Sequence, residues 1–466
     1  MSGLFGLVER KNCSATLFYG TDYHSHLGTQ KAGLAILNHR IYRSIHDISV
    51  SQFKSKFADE IEKMAGRIGI GVISDNEPQP IIISSSFGTF TLATSGFISN
   101  KKQLAREVMR TGGSFSELSG GTINPTEVAG KIIAQKESVI EGIKYLFEKV
   151  RGSLSLLLLN KEGIYAARDK QGRTGLAVGR RNRDIAIASE SCSFPNLGYH
   201  LVKELGPKEV VLIDTKGSIK TILAGAKKES ICAFLWIYTG YPASSYNGIS
   251  VEAVRERCGI NLAKRDNLKA DFVTGIPDSG IAHGLGYAIG AGIPYRRAFV
   301  KYTPGYGRSY TPPSQKVRDK IAQMKLIAIE KIIKGKKIII CDDSIVRGTQ
   351  LKNQAIKKLW RYGAEEIHVR IACPPLMFPC AYLFSTRTKK ELAARRAIRK
   401  VFGKRGKSIN LESFLNEKSE QYRKMVDQMR KELGVTTLRF QTVNDMIDAI
   451  GLPKERLCLH CWIGKS

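Results

Sequence analysis

KKIIICDDSIVRGTQLKNQAIKKL (residues 336–359) decides how this chain is read. Ile338, Ile339 and Ile340 form a short β-branched run of the kind found in fully buried strands. The run ends in two carboxylates, Asp342 and Asp343, turns through Ser344, Gly348 and Thr349, and enters a helix. A loop between a strand and a helix N-terminus aims several backbone N–H groups at one point, and the helix dipole adds positive potential, so it cradles a phosphate. Gly348 permits close backbone approach, and the hydroxyls of Ser344 and Thr349 can donate to phosphate oxygens. Asp342 and Asp343 leave the strand on opposite faces. At least one of them can accept from ribose hydroxyls or help a Mg²⁺ ion to do so.

The rhythm around this stretch is that of a parallel α/β sheet. From about residue 227, ADFVTGIPDSG, a helix, IPYRRAFVK, the quoted stretch and EEIHVRIACPP alternate strands with helices. Residues 1–226 read differently. Short apolar strands (GTFTLATSGF, RGSLSLLLLN, GIYAARD, RDIAIASES, EVVLID) follow one another with few helices between them, which predicts stacked antiparallel sheets in an α+β domain. GAKKES (225–230) is the expected joint between domains 1–226 and 227–466. A chain of 466 residues has room for two cores.

Composition narrows the classes further. No apolar run reaches the roughly 18 residues of a membrane span, and LSLLLL at 154–159 reads as a buried strand. The first residues lack the basic region and apolar core of a signal peptide, so a cytoplasmic protein without a membrane is expected. The 73 basic and 42 acidic residues leave a net charge of +31, which implies polyanionic partners, phosphorylated metabolites or nucleic acid. The densest basic stretch, 387–407, carries ten Lys/Arg and one Glu; it reads as a solvated basic helix plus loop in preference to a nucleic-acid site. Nine cysteines and no export signal argue against a disulfide framework. CLHC (458–461) has the spacing that lets two thiolates reach one zinc, one iron–sulfur cluster or each other. At the other end, removal of Met1 would expose Ser2, whose α-amino group could serve as base for its own hydroxyl.

DDSIVRGT (342–349) resembles the phosphoribosyl pyrophosphate (PRPP) motif of type I phosphoribosyltransferases. The flanking motifs are similar to those of the amidophosphoribosyltransferase family: GIPDSGIAHGLGYA (275–288), VKYTPGYGRSYTPPSQKVRDKIAQMKL (300–326), YPASSYNGISVEAVRERCG (241–259), IYAARDKQGRTGLAVG (164–179) and ASESCSFPNLGYHLVKELGPKEVVLID (188–214). The resemblance covers nearly the whole chain. It implies an N-terminal nucleophile (Ntn) hydrolase-like four-layer sandwich followed by a type I phosphoribosyltransferase domain with a parallel sheet. It also implies PRPP binding through Asp342, Asp343, Ser344, Arg347, Gly348, Thr349, Asp278, Ser279, Gly280, Lys301 and Arg308, with Mg²⁺ held at Asp342 and Asp343. Gly307 and Gln315 are matching positions of a loop over PRPP. Cys232, Cys380, Cys458 and Cys461 fall where some family members hold a [4Fe–4S] cluster, with zinc as the alternative occupant. Purine nucleotides are the implied inhibitors.

The glutaminase half departs from the family pattern. Ser2 stands at the position of the nucleophilic Cys, IGIGVISDN (68–76) contains no Arg, Ser95 replaces the oxyanion Asn beside a retained Gly96, and Pro125 replaces an Asp. One missing oxyanion donor costs about a hundred- to a thousandfold in rate, and the head group of glutamine also loses its charged anchors. The expectation is an inactive glutaminase scaffold. In the second half KYTPGYGR (301–308) and FLWIYTGYPAS (234–244) differ from the family runs, which puts coupling to glutamine in doubt. The preferred reading is a PRPP-dependent transferase subunit that makes 5-phosphoribosylamine from free ammonia, or from ammonia supplied by a paralogous glutaminase-competent subunit in a hetero-oligomer. A non-catalytic regulatory subunit is the alternative, and a PRPP-sensing nucleic-acid binder stands third.

Overall fold

The computed structural model describes residues 2–302, 326–383, 386, 388–403 and 410–464. The chain divides into two compact units, Met1–Cys232 with Ala243–Gly248 and Ala381–Phe384, and Ala233–Pro242 with Ile249–Cys380 and Ser385–Ser466.

The first unit is built on two antiparallel sheets, one of seven strands and one of six. In the larger, Gly3–Val8 lies between Ile68–Ser74 and Asp184–Ala188; in the smaller, Gly152–Asn160 lies between Gly88–Ile98 and Gly163–Ala167. Alternation of side chains along each strand explains the layering. Leu157 and Leu159 join Leu4, Ile70, Val72 and Ile187 in one apolar layer contributed by both sheets. Leu156 and Leu158 turn the other way, into a second layer with Val128, Ile132, Ile143 and Leu146 of the helices Pro125–Ile133 and Val139–Lys149. Phe5 and Leu7 pack on the opposite side with Leu17, Phe53 and Phe57 of the helices Ser14–Asp22 and Phe53–Ile61. The order is helices, sheet, sheet, helices. A strand apolar on both faces is what such a sandwich requires, and LSLLLL meets that requirement.

The second unit is organised around a four-stranded parallel sheet in the order Phe272–Gly275, Lys337–Asp342, Glu366–Ile371, Thr437–Phe440. Ile338, Ile339 and Ile340 are fully buried, as expected of a central strand covered on both faces. The helices Val251–Lys264 and Ile281–Ala291 pack against each other, and the latter also packs on the strands Phe272–Gly275 and Lys337–Asp342. Gly275 pairs with Cys341, so the loops that follow these two strands emerge side by side at the carboxyl edge, where open parallel sheets place their ligand sites. Among the described residues no helix is long and apolar enough to cross a membrane.

One buried histidine gives the first unit a pH dependence. His24 is fully buried; its Nδ1 lies 2.9 Å from the Gly20 carbonyl, and burial pushes its pKa down to about 4 from 6.5. The unfolded chain therefore takes up a proton below pH 6.5 that the folded chain refuses until about pH 4. Stability should be fully present above pH 6.5 and should fall by up to roughly 3 kcal/mol by about pH 4. Denaturant unfolding across this window should show that loss, and His24→Gln should flatten the slope.

Candidate functional site

The site grows from the end of the central strand of the second unit. Asp342 and Asp343 are both nearly buried. Ser279 Oγ donates to Asp342 Oδ1 at 2.8 Å, the Asp343 N–H donates to the same oxygen at 3.0 Å, and Ser344 Oγ donates to Asp343. Burial, then the charge of Asp343, drives the Asp342 carboxyl well above the ordinary range, and burial drives Asp343 upward as well. Two desolvated carboxylates this close favour a shared cation or a set of hydroxyl donors. Oxygen donors of this kind fit Mg²⁺.

The loop 276–280 is locked against the strand. The Gly280 N–H donates to the Ile276 carbonyl at 2.7 Å, and the Ile276 N–H donates to the Cys341 carbonyl at 3.0 Å. A Cβ on Gly280 would sit 2.1 Å from the Cys341 oxygen, so only glycine lets these two loops approach this closely. That approach brings Ser279 to Asp342. The peptide bond Pro277–Asp278 is cis. Asp278, at the exposed rim, accepts from Lys301 Nζ at 2.6 Å.

The phosphate loop continues through Gly348, whose φ of +75° belongs to the left-handed region. Its carbonyl accepts from the Lys352 N–H at 3.0 Å as the chain enters a helix that is wide-turned over Leu351–Ile356 and α-helical over Lys357–Arg361. The structure thus brings together Asp342 and Asp343 with Ser279 and Ser344, and Lys301 with Asp278. Arg308, Gly307 and Gln315 lie outside the described residues. Two cavities of about 420 and 470 Å³ in this unit are lined by residues such as Arg265, Tyr422 and Gln441, and contain none of the predicted site residues.

In the first unit, the positions expected to serve glutamine hold a closed polar cluster. Ser2 is buried, and its carbonyl accepts from Ser95 Oγ at 2.5 Å. Beside it lies Gln79, a residue to which sequence analysis assigns no role. Its Oε1 accepts from the Thr94 N–H at 2.8 Å and from Thr126 Oγ1 at 3.1 Å; its Nε2 donates to the Thr94 carbonyl at 3.0 Å and reaches Ser2 Oγ at 3.5 Å. A carboxamide of the chain itself therefore stands next to the hydroxyl of Ser2. Pro125 is the first residue of the helix Pro125–Ile133, where its missing N–H costs nothing, and Asn124 caps that helix by accepting from the Thr126 N–H at 2.9 Å. Val72 is part of the apolar layer fed by both sheets.

Of the four cysteines, Cys232 belongs to the first unit and the other three to the second. The Met377 and Phe378 N–H groups donate to the Cys461 carbonyl at 2.9 and 3.0 Å, and His460 Nε2 lies 3.2 Å from the Pro379 carbonyl, so the backbone ties the Cys380 segment to the CLHC turn. Cys458 accepts at its carbonyl from the N–H of Ala233, the residue after Cys232, at 3.4 Å. Among the described residues no three His, Cys, Asp or Glu side chains are gathered as a metal-holding group. The donor set, thiols alone, suits iron–sulfur or zinc.

Known proteins are similar to this chain over its whole length. Residues 66–196 match the model of a glutamine amidotransferase domain family. An amidophosphoribosyltransferase of Methanocaldococcus jannaschii is 30% identical, with 100% of this chain and 97% of the relative covered. That of Bacillus subtilis is 29% identical over 99% of this chain and 93% of its own length. The solved structure of the B. subtilis glutamine PRPP amidotransferase, complexed with ADP and GMP, superposes with a TM-score of 0.84 at 28% identity, covering 99% of this chain and 96% of that one. The helix–sheet–sheet–helix unit is accordingly an Ntn-type glutaminase fold, and the parallel-sheet unit is a phosphoribosyltransferase fold. With the full length matched and two carboxylates leading into a phosphate loop at the carboxyl edge of a parallel sheet, the chain belongs to the amidophosphoribosyltransferase family of purine biosynthesis.

Proposed function

We propose that this chain is the transferase component of an amidophosphoribosyltransferase, forming 5-phosphoribosylamine from PRPP with ammonia that it does not itself release from glutamine. The observation that carries the transferase half is the placement of Asp342, Asp343 and Ser279 together at the mouth of the phosphate loop. In this reading the N–H groups of 344–349 hold the 5-phosphate, with the Ser344 and Thr349 hydroxyls beside them. Asp342 and Asp343 accept from the ribose hydroxyls and hold Mg²⁺, which, when bound, neutralises charge on the leaving pyrophosphate. Lys301 and Asp278 meet at the rim, where Lys301 can exchange its carboxylate partner for pyrophosphate oxygens. The nitrogen lone pair of ammonia forms the new bond to the anomeric carbon. The bond from that carbon to pyrophosphate breaks, its electron pair leaves with pyrophosphate, and the nitrogen sheds one proton. Ammonia is already a nucleophile, so the protein's task is positioning and charge stabilisation.

The glutaminase half is read as inactive because Gln79 and Ser95 occupy the surroundings of Ser2 with hydrogen-bonded groups of the chain itself. A retained glutaminase fold without its chemistry suits assembly with a paralogous subunit that supplies ammonia. Purine nucleotides are proposed inhibitors, given the ADP and GMP of the B. subtilis structure. A cytoplasmic setting goes with this reading.

The purified chain is expected to form phosphoribosylamine from PRPP and an ammonium salt, and to form none from glutamine until a glutaminase-competent paralogue is added. Turnover of glutamine by the chain alone would refute the reading of the first unit; no turnover with ammonium would refute that of the second. Separately, Cys232, Cys380, Cys458 and Cys461 are proposed to hold a structural [4Fe–4S] cluster, with zinc as the other candidate. Anaerobic preparations should contain about four iron atoms per chain with visible absorbance, and Cys458→Ser should lose both. One zinc per chain and no iron would replace the cluster by the alternative.

A further inference from the structure

The basic stretch 387–407 has no part in the chemistry described so far, yet its described portion holds a defined position. The helix Ala393–Phe402 buries Ala393, Ala394, Ala397 and Ile398. Its leading edge lies on the backbone of the phosphate loop. The Ala393 N–H donates to the Val346 carbonyl at 2.7 Å. The Arg396 guanidinium donates to the Arg347 carbonyl at 2.6 Å and to the Glu391 carbonyl at 2.7 Å. The Arg347 side chain in turn pairs with the Glu391 carboxylate at 3.2 Å. Farther along the helix, Lys400 faces Glu432 at 3.5 Å.

The consequence follows from peptide geometry. The units Val346–Arg347 and Arg347–Gly348 are trans, and in a planar trans peptide the C=O and N–H point in opposite directions. Two successive carbonyls are held toward residues 391–396, so the N–H groups of Arg347 and Gly348 are turned away from that segment together. A loop binds an anion when consecutive N–H groups converge in this manner. A guanidinium on the Arg347 carbonyl also polarises that peptide and makes the Gly348 N–H a better donor. Arginine suits the task because its planar fork reaches two carbonyls at once, which a lysine ammonium does with less geometric constraint.

We propose that residues Glu391–Arg396 clamp the phosphate loop through its carbonyls, and that Arg396 is a positioning residue that orients the loop's N–H groups toward the phosphate of the substrate. This rests on the reading of the loop as the PRPP site. The test compares the full-length chain with Arg396→Gln, Arg396→Lys and, as control, the exposed Arg399→Ala. With ammonium as nitrogen donor, Arg396→Gln should raise KM for PRPP about tenfold and leave kcat within about twofold, and Arg396→Lys should fall between it and the wild type. Without ligand, amide hydrogen exchange in 344–350 should quicken in Arg396→Gln and stay at the wild-type rate in Arg399→Ala. Unchanged KM and exchange in Arg396→Gln would overturn the clamp. So would a matching loss in the control, which would mark the helix as a general structural support. If the wild type fails to bind PRPP at all, the PRPP reading falls, and the ligand-free exchange comparison still decides the clamp.

Discussion

Everything in the second unit answers to one constraint: a strand of buried isoleucines ends in two carboxylates that are themselves nearly removed from water. An isolated buried carboxylate is costly unless hydrogen-bonded or paired, and here two are adjacent. The fold responds with local donors. Ser279 is brought to Asp342 by a loop that can come so close only because residue 280 lacks a side chain, and Ser344 turns back on Asp343. These donors leave the raised proton affinity of the pair in place. In the proposed reading a cation and a ribose diol complete this site, and the loop that follows holds the other end of the substrate.

The first unit keeps the glutaminase fold although several residues depart from the family pattern. Its stability is carried by three apolar layers, in which the sheets and the helices packed on them share leucine, isoleucine and phenylalanine side chains. The positions that differ from the family pattern serve the fold in other ways. Pro125 starts a helix, Val72 fills the core and Ser95 bonds to the Ser2 carbonyl. Gln79 closes the remaining polar groups on one another. Ser95, Gln79 and Thr126 are all hydrogen-bonded, so these positions add no unpaired side chain of their own to the buried cluster.

Much of this was legible from the residues because the decisive signals are local. The strand, its terminal acids and the glycine-bearing turn are contiguous in 336–359, and the doubly buried strand in the first unit is written in four adjacent leucines. Gln79 was not legible. Its meaning depends on Thr94 and Thr126, 15 and 47 residues away, and a lone glutamine among prolines carries no periodic signal. Arg396 was hidden for a related reason. The apolar face of its helix is mostly alanine, so charge dominates the pattern and suggests a solvated surface, whereas the contact that matters is to a backbone carbonyl 49 residues earlier. Backbone acceptors are invisible to residue type, and only the fold reveals which carbonyls face which side chains. The expected cysteine set is an intermediate case: the backbone ties the Cys380 segment to the CLHC turn, and the side chains do not form a metal-holding group among the described residues.

The central claim is that the chemistry lies at the carboxyl edge of the parallel sheet and not around Ser2. Its most direct test is a crystal structure of the chain with Mg²⁺ and a non-reactive carbocyclic analogue of PRPP. The account predicts the 5-phosphate on the N–H groups of 344–349, the ring hydroxyls on Asp342 and Asp343, and the pyrophosphate near 278–280 and Lys301. Analogue bound elsewhere, or a phosphate loop left empty at saturating concentration, would contradict it.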